Sequence, residues 1–226
     1  AGFLDATHAR LQRISASSPV VVLPSYNGAR KLPVLTPLLA YLLAREGVAV
    51  VLHGTPTESS RITSQDVLGA LGVQTLPTSR TIHEGDVVFA ATEELCPGLK
   101  RLLDVRRTVG LRNSAHSLVK LMNPTNSDDA LLVSSYTHPE YAKSMAATLA
   151  LTGARALLLR GTEGEVVADA RRTPQMDAFV RGTRTTLVEA QTGSLMKLPE
   201  LPNQIDAAST AKYTQAVLRG ELPVPT

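Results

Sequence analysis

The chain has 226 residues, enough for one α/β domain with a full core and at most a small appendage. Charged residues make up 19 % and aromatics 4 %, there is no Trp, and no run is long and apolar enough to read as a membrane span. The net charge of +3 and pI near 9.2 are a modest basic lean, whose meaning depends on where the charge sits.

In chain order, residues 1–14 read as helix, with Phe3, Leu4, Leu11 and Ile14 apolar and a basic end, and residues 15–19 as a linker. The chain opens AGFLDATHAR, without Met and without a signal peptide, and reads as a fragment or trimmed chain of a cytoplasmic protein. Val20-Val21-Val22-Leu23 is a buried strand, residues 24–31 a turn-rich loop, and residues 36–46 a largely apolar helix ended by Gly47. Val48-Ala49-Val50-Val51-Leu52 is a second strand. A polar loop with Gly54 and Pro56 follows it, then a helix from Asp66 that stops at Gly72. Residues 75–88 look hairpin-like, with Val87-Val88-Phe89 as a strand, and residues 97–103 form a short helix. The single cysteine, Cys96, excludes an internal disulfide, fits a reducing compartment and reads as a small buried side chain. Leu131-Leu132-Val133-Ser134 is a strand. The helix opened by His138-Pro139-Glu140 runs to Thr152 and closes at Gly153, with Pro139 where its missing N–H costs nothing. Ala156-Leu157-Leu158-Leu159 is a strand, residues 160–165 a loop, residues 183–189 a further strand and residues 209–219 a last helix. Strands separated by helices imply an α/β fold, a largely parallel sheet covered on both faces. Ligands in such sheets sit at the carboxyl ends of the strands, here the loops 24–31, 54–64 and 160–165.

Two features point to chemistry. The loop before the third helix carries Ser59, Ser60, Arg61, Thr63 and Ser64. Hydroxyls and a cation beside unsatisfied helix amides suit a phosphate; Thr63 or Ser64 as a simple N-cap explains them equally. Residues 100–120 hold Lys100, Arg101, Arg106, Arg107, Arg112 and Lys120 against one acid, Asp104, a local excess of +5. Asn113, Ser114, His116 and Ser117 lie among them, and Arg30, Lys31, Arg171, Arg172, Arg181 and Arg184 add cations elsewhere. A phosphate track for nucleic acid and a solvated basic face both fit this stretch. It contains no aromatic residue, which argues against a dedicated single-strand platform. His53, His83 and His138 lack metal-ligand spacing, and no Ser-His-Asp group can be assembled.

His53-Gly54, Ser59-Ser60-Arg61, Ser64, Asp66-Val67-Leu68 and Ala70-Leu71-Gly72 resemble the H-G…S-S-K…S-x-D-x-L-x-A-L-G stretch of the anthranilate phosphoribosyltransferases. Arg106, Gly110, Arg112 and Asn123-Pro124 are similar to that family's R-x-x-L-G-x-R…N-P segment. Tyr136-Thr137-His138-Pro139-Glu140 is similar to its Y-S-P-E helix start, one residue longer here. The resemblance implies the C-terminal α/β domain of the nucleoside-phosphorylase-like phosphoribosyltransferases for residues 15–226. Residues 1–14 would then be the end of the helical domain that precedes it.

The departures bear on function. The family's G-T-G-G-D-G loop, which holds the diphosphate of phosphoribosyl diphosphate, is replaced by Pro24-Ser25-Tyr26-Asn27-Gly28-Ala29, where a backbone cradle loses its freedom. N-I-S-T becomes Val34-Leu35-Thr36-Pro37, and H-G-N-R becomes His53-Gly54-Thr55-Pro56. The acidic pair that holds magnesium falls near Glu165-Val166, with one carboxylate lost. The family's G-P before N-P falls at Val119-Lys120.

The words L-P-S-Y-N-G-A-R-K-L-P (residues 23–33), R-N-S-A-H-S-L-V-K-L (112–121), S-Y-T-H-P-E (135–140) and L-R-G-T-E-G-E (159–165) are similar to the YbiB-like branch of the same family. That resemblance implies a homodimer that binds DNA and RNA with little sequence preference and has no transferase activity, cofactor or membrane association. The expected nucleic-acid contacts are Arg30, Lys31, Lys100, Arg101, Arg106, Arg107, Arg112, Asn113, His116, Lys120, Arg171 and Arg172. A residual phosphate pocket would comprise Asn27, Gly28, His53, Gly54, Ser59, Ser60, Arg61 and Ser64, with no catalytic residue and no metal ligand. The alternative is a related pentosyl transferase with a remodelled substrate, using magnesium and phosphoribosyl diphosphate, for which the retained Ser59-Ser60-Arg61 and Arg112 speak. A third reading is a scaffold that binds another protein through the same face.

Overall fold

The computed structural model describes residues 1–75, 80–127, 129–193, 195 and 200–225. The elements are α1 (Gly2–His8), β1 (Val20–Pro24), α2 (Thr36–Arg45), β2 (Ala49–Gly54), α3 (Ser64–Ala70), β3 (Val87–Ala91), α4 (Thr92–Leu95) and α5 (Pro97–Val109). They continue with α6 (Ala115–Leu121), β4 (Leu131–Tyr136), α7 (Pro139–Thr152), β5 (Ala156–Arg160), β6 (Met176–Val180), β7 (Thr183–Val188) and α8 (Ala207–Leu218). The strands form one sheet in the order β3-β2-β1-β4-β5-β6-β7. The first five run parallel, and β6 and β7 extend the β5 edge antiparallel.

β1 is buried along its whole length. Val20 and Val22 face a core shared with Leu99 and Leu103 of α5, Val119 of α6, and Met145 and Leu149 of α7. Val21 and Leu23 face a second core with Ala40 of α2 and Leu68 of α3. A strand covered on both sides needs apolar residues at every position, so β1, β2, β4 and β5 read as continuous runs. α8 covers α2 and α3 from outside, through Ala211, Tyr213 and Val217.

Local signals set most boundaries. Thr63 caps α3: its Oγ1 accepts from the Asp66 amide at 3.2 Å, and the Asp66 carboxylate accepts from the Thr63 amide at 2.8 Å. This reciprocal pair starts the helix earlier than Asp66, where the apolar pattern begins. α5 runs beyond residue 103 to Gly110, whose φ of 76° ends it. The helix expected over residues 1–14 stops at His8, because the following chain pairs elsewhere, Ile14 with Thr125 and Ala16 with Ile82. Those bridges also replace the expected linker. α4, α6 and β6 have no counterpart in the sequence reading. β6 carries the buried Asp177, held by Arg184 at 2.7 Å and Thr186 at 2.9 Å, and so breaks the apolar pattern. Arg181 (φ 49°) and Gly182 (φ 83°) turn β6 into β7 as a two-residue hairpin. Residues 76–79 of the expected hairpin-like region lie outside the described residues; Thr75 bridges Phe89 in parallel.

β2 and β3 lie on one side of β1, and β4 and β5 on the other. The order therefore reverses between β1 and β4, and a crevice opens at their carboxyl ends. No helix among the described residues is long and apolar enough to cross a membrane.

Candidate functional site

The loop after β1 turns its amides onto two glutamates from the loop after β5. Glu165, 2 % exposed, accepts with Oε1 from the amides of Asn27 and Gly28, each at 2.9 Å. Its Oε2 accepts from the Ser25 hydroxyl and, at 3.1 Å, from the Thr36 hydroxyl. Glu163 accepts from the Arg30 amide at 2.7 Å and the Lys31 amide at 3.0 Å. The Asn27 side-chain amide donates to the Glu163 carbonyl. Consecutive amides around an anion form a nest, and here the anions are the chain's own carboxylates. The loop after β5 folds tightly on itself and β2 presses on the loop after β1: a Cβ on Gly161 would lie 1.9 Å from the Glu165 carbonyl, and one on Gly54 2.0 Å from the Ser25 carbonyl. Glu163 itself sits at φ 53°, a conformation costing a non-glycine residue about 1–2 kcal/mol, offset by the amides it collects.

Lys120, expected as an exposed phosphate contact, is buried beneath this arrangement. Its ammonium donates to the Ser135 carbonyl at 2.8 Å, the Gly164 carbonyl at 2.9 Å and the Ser135 hydroxyl at 3.3 Å. All three protons are therefore placed, and the lysine pins the tip of the loop after β5. Burial pushes its pKa down to about 8 against the opposing pull of Glu165, so the group is a cation at neutral pH. His53 is equally buried, with Nε2 3.1 Å from the Met122 carbonyl; burial pushes its pKa down to about 4 and keeps it neutral. Its own carbonyl accepts from the Ser25 amide at 2.8 Å, so His53 supports the loop from below.

The basic stretch does not form one face. Successive helical residues turn by about 100°, so Lys100 and Arg107 share one side of α5 while Arg101 and Arg106 point to two others. Lys100 pairs with Asp104, and Arg107 lies 3.5 Å from the same carboxylate. Arg101 is exposed. Arg106 turns inward to Glu58, at 2.7 Å. Arg61 and Arg112 approach the same glutamate at 3.0 and 3.9 Å, so three guanidinium groups surround one carboxylate. Burial would raise the Glu58 carboxyl, but hydrogen bonds from Arg106 and Arg61 overcome it and hold the pKa below its ordinary value. Arg112 also donates to the Asn27 side-chain oxygen at 2.9 Å, which links this cluster to the occupied loop.

At the crevice an open groove of about 1080 Å³ begins beside Asn27. Arg30, Arg61, Arg112, Asn113, His116 and Lys120 line it, and Tyr136, His138 and Tyr141 contribute from β4 and α7. Asn113 donates from its side chain to the Leu102 carbonyl at 2.6 Å and accepts from the Ala115 amide at 3.0 Å, which fixes the start of α6. Lys31, Arg171 and Arg172 lie instead on a separate cleft of about 480 Å³, and Arg171 is paired there with Asp169. Ser59 and Ser60 are exposed in a turn, and Ser64 is buried with its hydroxyl 2.6 Å from that of Ser25. The sequence reading passed over Glu58, Glu163, Thr36 and the aromatic wall. Only Glu58, three residues before Arg61 on a tight turn, carried a local signal.

The family described as "Glycosyl transferase family, a/b domain" matches residues 31–197. This chain belongs to that family. The glycosyl transferase domain is 37 % identical over 236 aligned positions to the uncharacterized protein YbiB of Escherichia coli K12, covering 99 % of this chain and 72 % of that one. It is 32 % identical over 195 positions to the anthranilate phosphoribosyltransferase of Symbiobacterium thermophilum, covering 80 % of this chain and 55 % of that one. The crystal structure of anthranilate phosphoribosyltransferase from Thermus thermophilus superposes with a TM-score of 0.73 at 25 % identity, covering 98 % of this chain and 68 % of that one. The glycosyl transferase domain here thus has the expected fold, and it spans only part of the length of these relatives.

The residues of the loop do not fit a magnesium-bound diphosphate. The Asn27, Gly28, Arg30 and Lys31 amides and the Ser25 and Thr36 hydroxyls already serve Glu165 and Glu163. Both oxygens of Glu165 are engaged inward, so the remaining acid of the expected metal pair has no lone pair directed to a cation. Among the described residues no group of three His, Cys, Asp or Glu could hold a metal.

Proposed function

We propose that this domain binds the phosphate backbone of DNA or RNA in the groove at the β1–β4 crevice and does not transfer phosphoribosyl groups. The observation that carries the reading is the loop after β1, whose amides are taken by Glu165 and Glu163. In the groove beside it cations are in reach of solvent: Arg30 is exposed, and the Arg112 side chain is 40 % exposed. Arg30, Arg61 and Arg112 line it against one acid, Glu163, and the net positive charge attracts phosphates without reading sequence.

The test is binding of a labelled DNA oligomer across a salt series. Each duplex phosphate neutralised contributes about −0.9 to the slope of log affinity against log salt, so contacts from Arg30, Arg61 and Arg112 give a slope of several units. A flat salt dependence or no binding contradicts the reading.

One observation favours a second reading, a transferase with a remodelled substrate: family membership together with Arg61 and Arg112 lining the groove. That reading requires magnesium-dependent binding of phosphoribosyl diphosphate, which the first excludes.

A further inference from the structure

The basic stretch lacks aromatic residues, but the fold supplies them from across the crevice. Tyr136 ends β4, and His138 and Tyr141 open α7; all three line the same groove as Arg112 and His116. Tyr141 is 45 % exposed, in a chain where aromatics are only 4 % of residues. Its ring stands 6.3 Å from that of His138, tilted by 49°, so two π-systems adjoin on one wall. In the same groove His116 is buried, and its Nε2 has no hydrogen-bond partner among the described residues. Burial and the nearby Arg112 and Arg106 charges lower its pKa, opposed by a hydrogen bond to Asn113, so the ring is neutral at neutral pH and offers a hydrogen-bonding nitrogen without charge. A groove lined by cations, by rings and by an unused polar atom matches three parts of a nucleotide: phosphate, base face and base edge or sugar.

We infer that Tyr141 and His138 are a stacking site for an unpaired nucleobase, and that the groove therefore takes single-stranded nucleic acid in preference to duplex. The inference rests on the backbone-binding reading above and adds the base to it. In a duplex each base is already stacked on its neighbours, so the rings gain nothing. In a single strand a base–aromatic contact raises affinity by about 5- to 100-fold, whatever the base, because every base has a π-face.

Fluorescence anisotropy at fixed salt decides it, with three probes: a thymidine oligomer, an abasic oligomer of equal length, and a duplex, with the RNA series run in parallel. The wild-type chain binds the thymidine oligomer more tightly than the abasic one. Tyr141→Ala removes about 5- to 100-fold of affinity for base-bearing strands and leaves abasic and duplex binding unchanged, while Tyr141→Phe keeps the wild-type order. Equal binding of thymidine and abasic oligomers, or an equal loss on both in Tyr141→Ala, overturns the stacking site but leaves the backbone-binding reading standing. Binding of neither oligomer overturns both. A free mononucleotide that binds as tightly as the oligomer also overturns it, since the wall would then serve a small ligand.

Discussion

The loop after β1 and the groove next to it are both furnished for anions, and the chain treats them differently. In the loop, four amides and two hydroxyls converge, and Glu165 and Glu163 fill the space they surround. Beside the groove, Arg61, Arg106 and Arg112 converge on a single carboxylate, Glu58, and charge is left over. The first site is satisfied within the fold; the second is completed only from outside. Two neighbouring regions furnished for anions in one fold thus end differently, one filled by the chain's own carboxylates and the other open to solvent.

Breaking the pin beneath the loop gives the largest expected effect. Lys120→Met removes the ammonium that donates to the Ser135 and Gly164 carbonyls and leaves Gly164 only the Ser135 hydroxyl, at a cost of about 3–5 kcal/mol in urea unfolding. A loss below about 1 kcal/mol would mean that the loop after β5 is held by something else. Emptying the nest comes next. Glu165→Ala leaves the Asn27 and Gly28 amides unpaired, for a loss of about 2–4 kcal/mol. Inorganic diphosphate then raises the melting temperature of the variant and leaves the wild type unmoved.

His53 makes the closed loop sensitive to acid. Its folded pKa of about 4 lies below the ordinary 6.5, so the unfolded chain binds the proton first. Its contribution is complete above pH 6.5 and is lost as pH falls from there toward 4, by up to about 3 kcal/mol. Denaturant unfolding across this window checks it: the wild-type advantage over His53→Gln shrinks with acid, and a constant difference contradicts the assignment. The smallest effect belongs to the groove. Arg112→Ala weakens oligomer binding about tenfold and lowers the salt slope by about one unit. Arg101→Ala on the outer side of α5 and Arg172→Ala on the other cleft leave both within about twofold.

Much of the fold was legible because its signals are local. The continuous apolar runs of β1, β2, β4 and β5, Pro139 at the start of α7 and the glycine stops at Gly110 and Gly153 act within a few residues. β6 was hidden because Asp177 interrupts it, and that carboxylate is tolerated only through Arg184 and Thr186 on the next strand. The occupied nest was illegible for a different reason. Glu165 lies 138 residues from Asn27, and as a sequence feature it is only an acid that has lost its neighbour. Spacing likewise suggested a single basic track, which helical rotation disperses, and placed Lys120 on the surface although three acceptors bury it. The aromatic wall comes from the end of β4 and the start of α7, outside the basic stretch, so the composition of that stretch carries no sign of it.

The most direct test of the account is displacement of a labelled oligomer from the wild-type chain by phosphoribosyl diphosphate with magnesium, at constant ionic strength. With the loop after β1 closed by Glu165 and Glu163, the oligomer is bound and the sugar diphosphate displaces it no better than an equivalent amount of simple salt. Displacement at near-equimolar concentration that disappears when magnesium is chelated would contradict it, because the loop after β1 would then be open to its ancestral ligand.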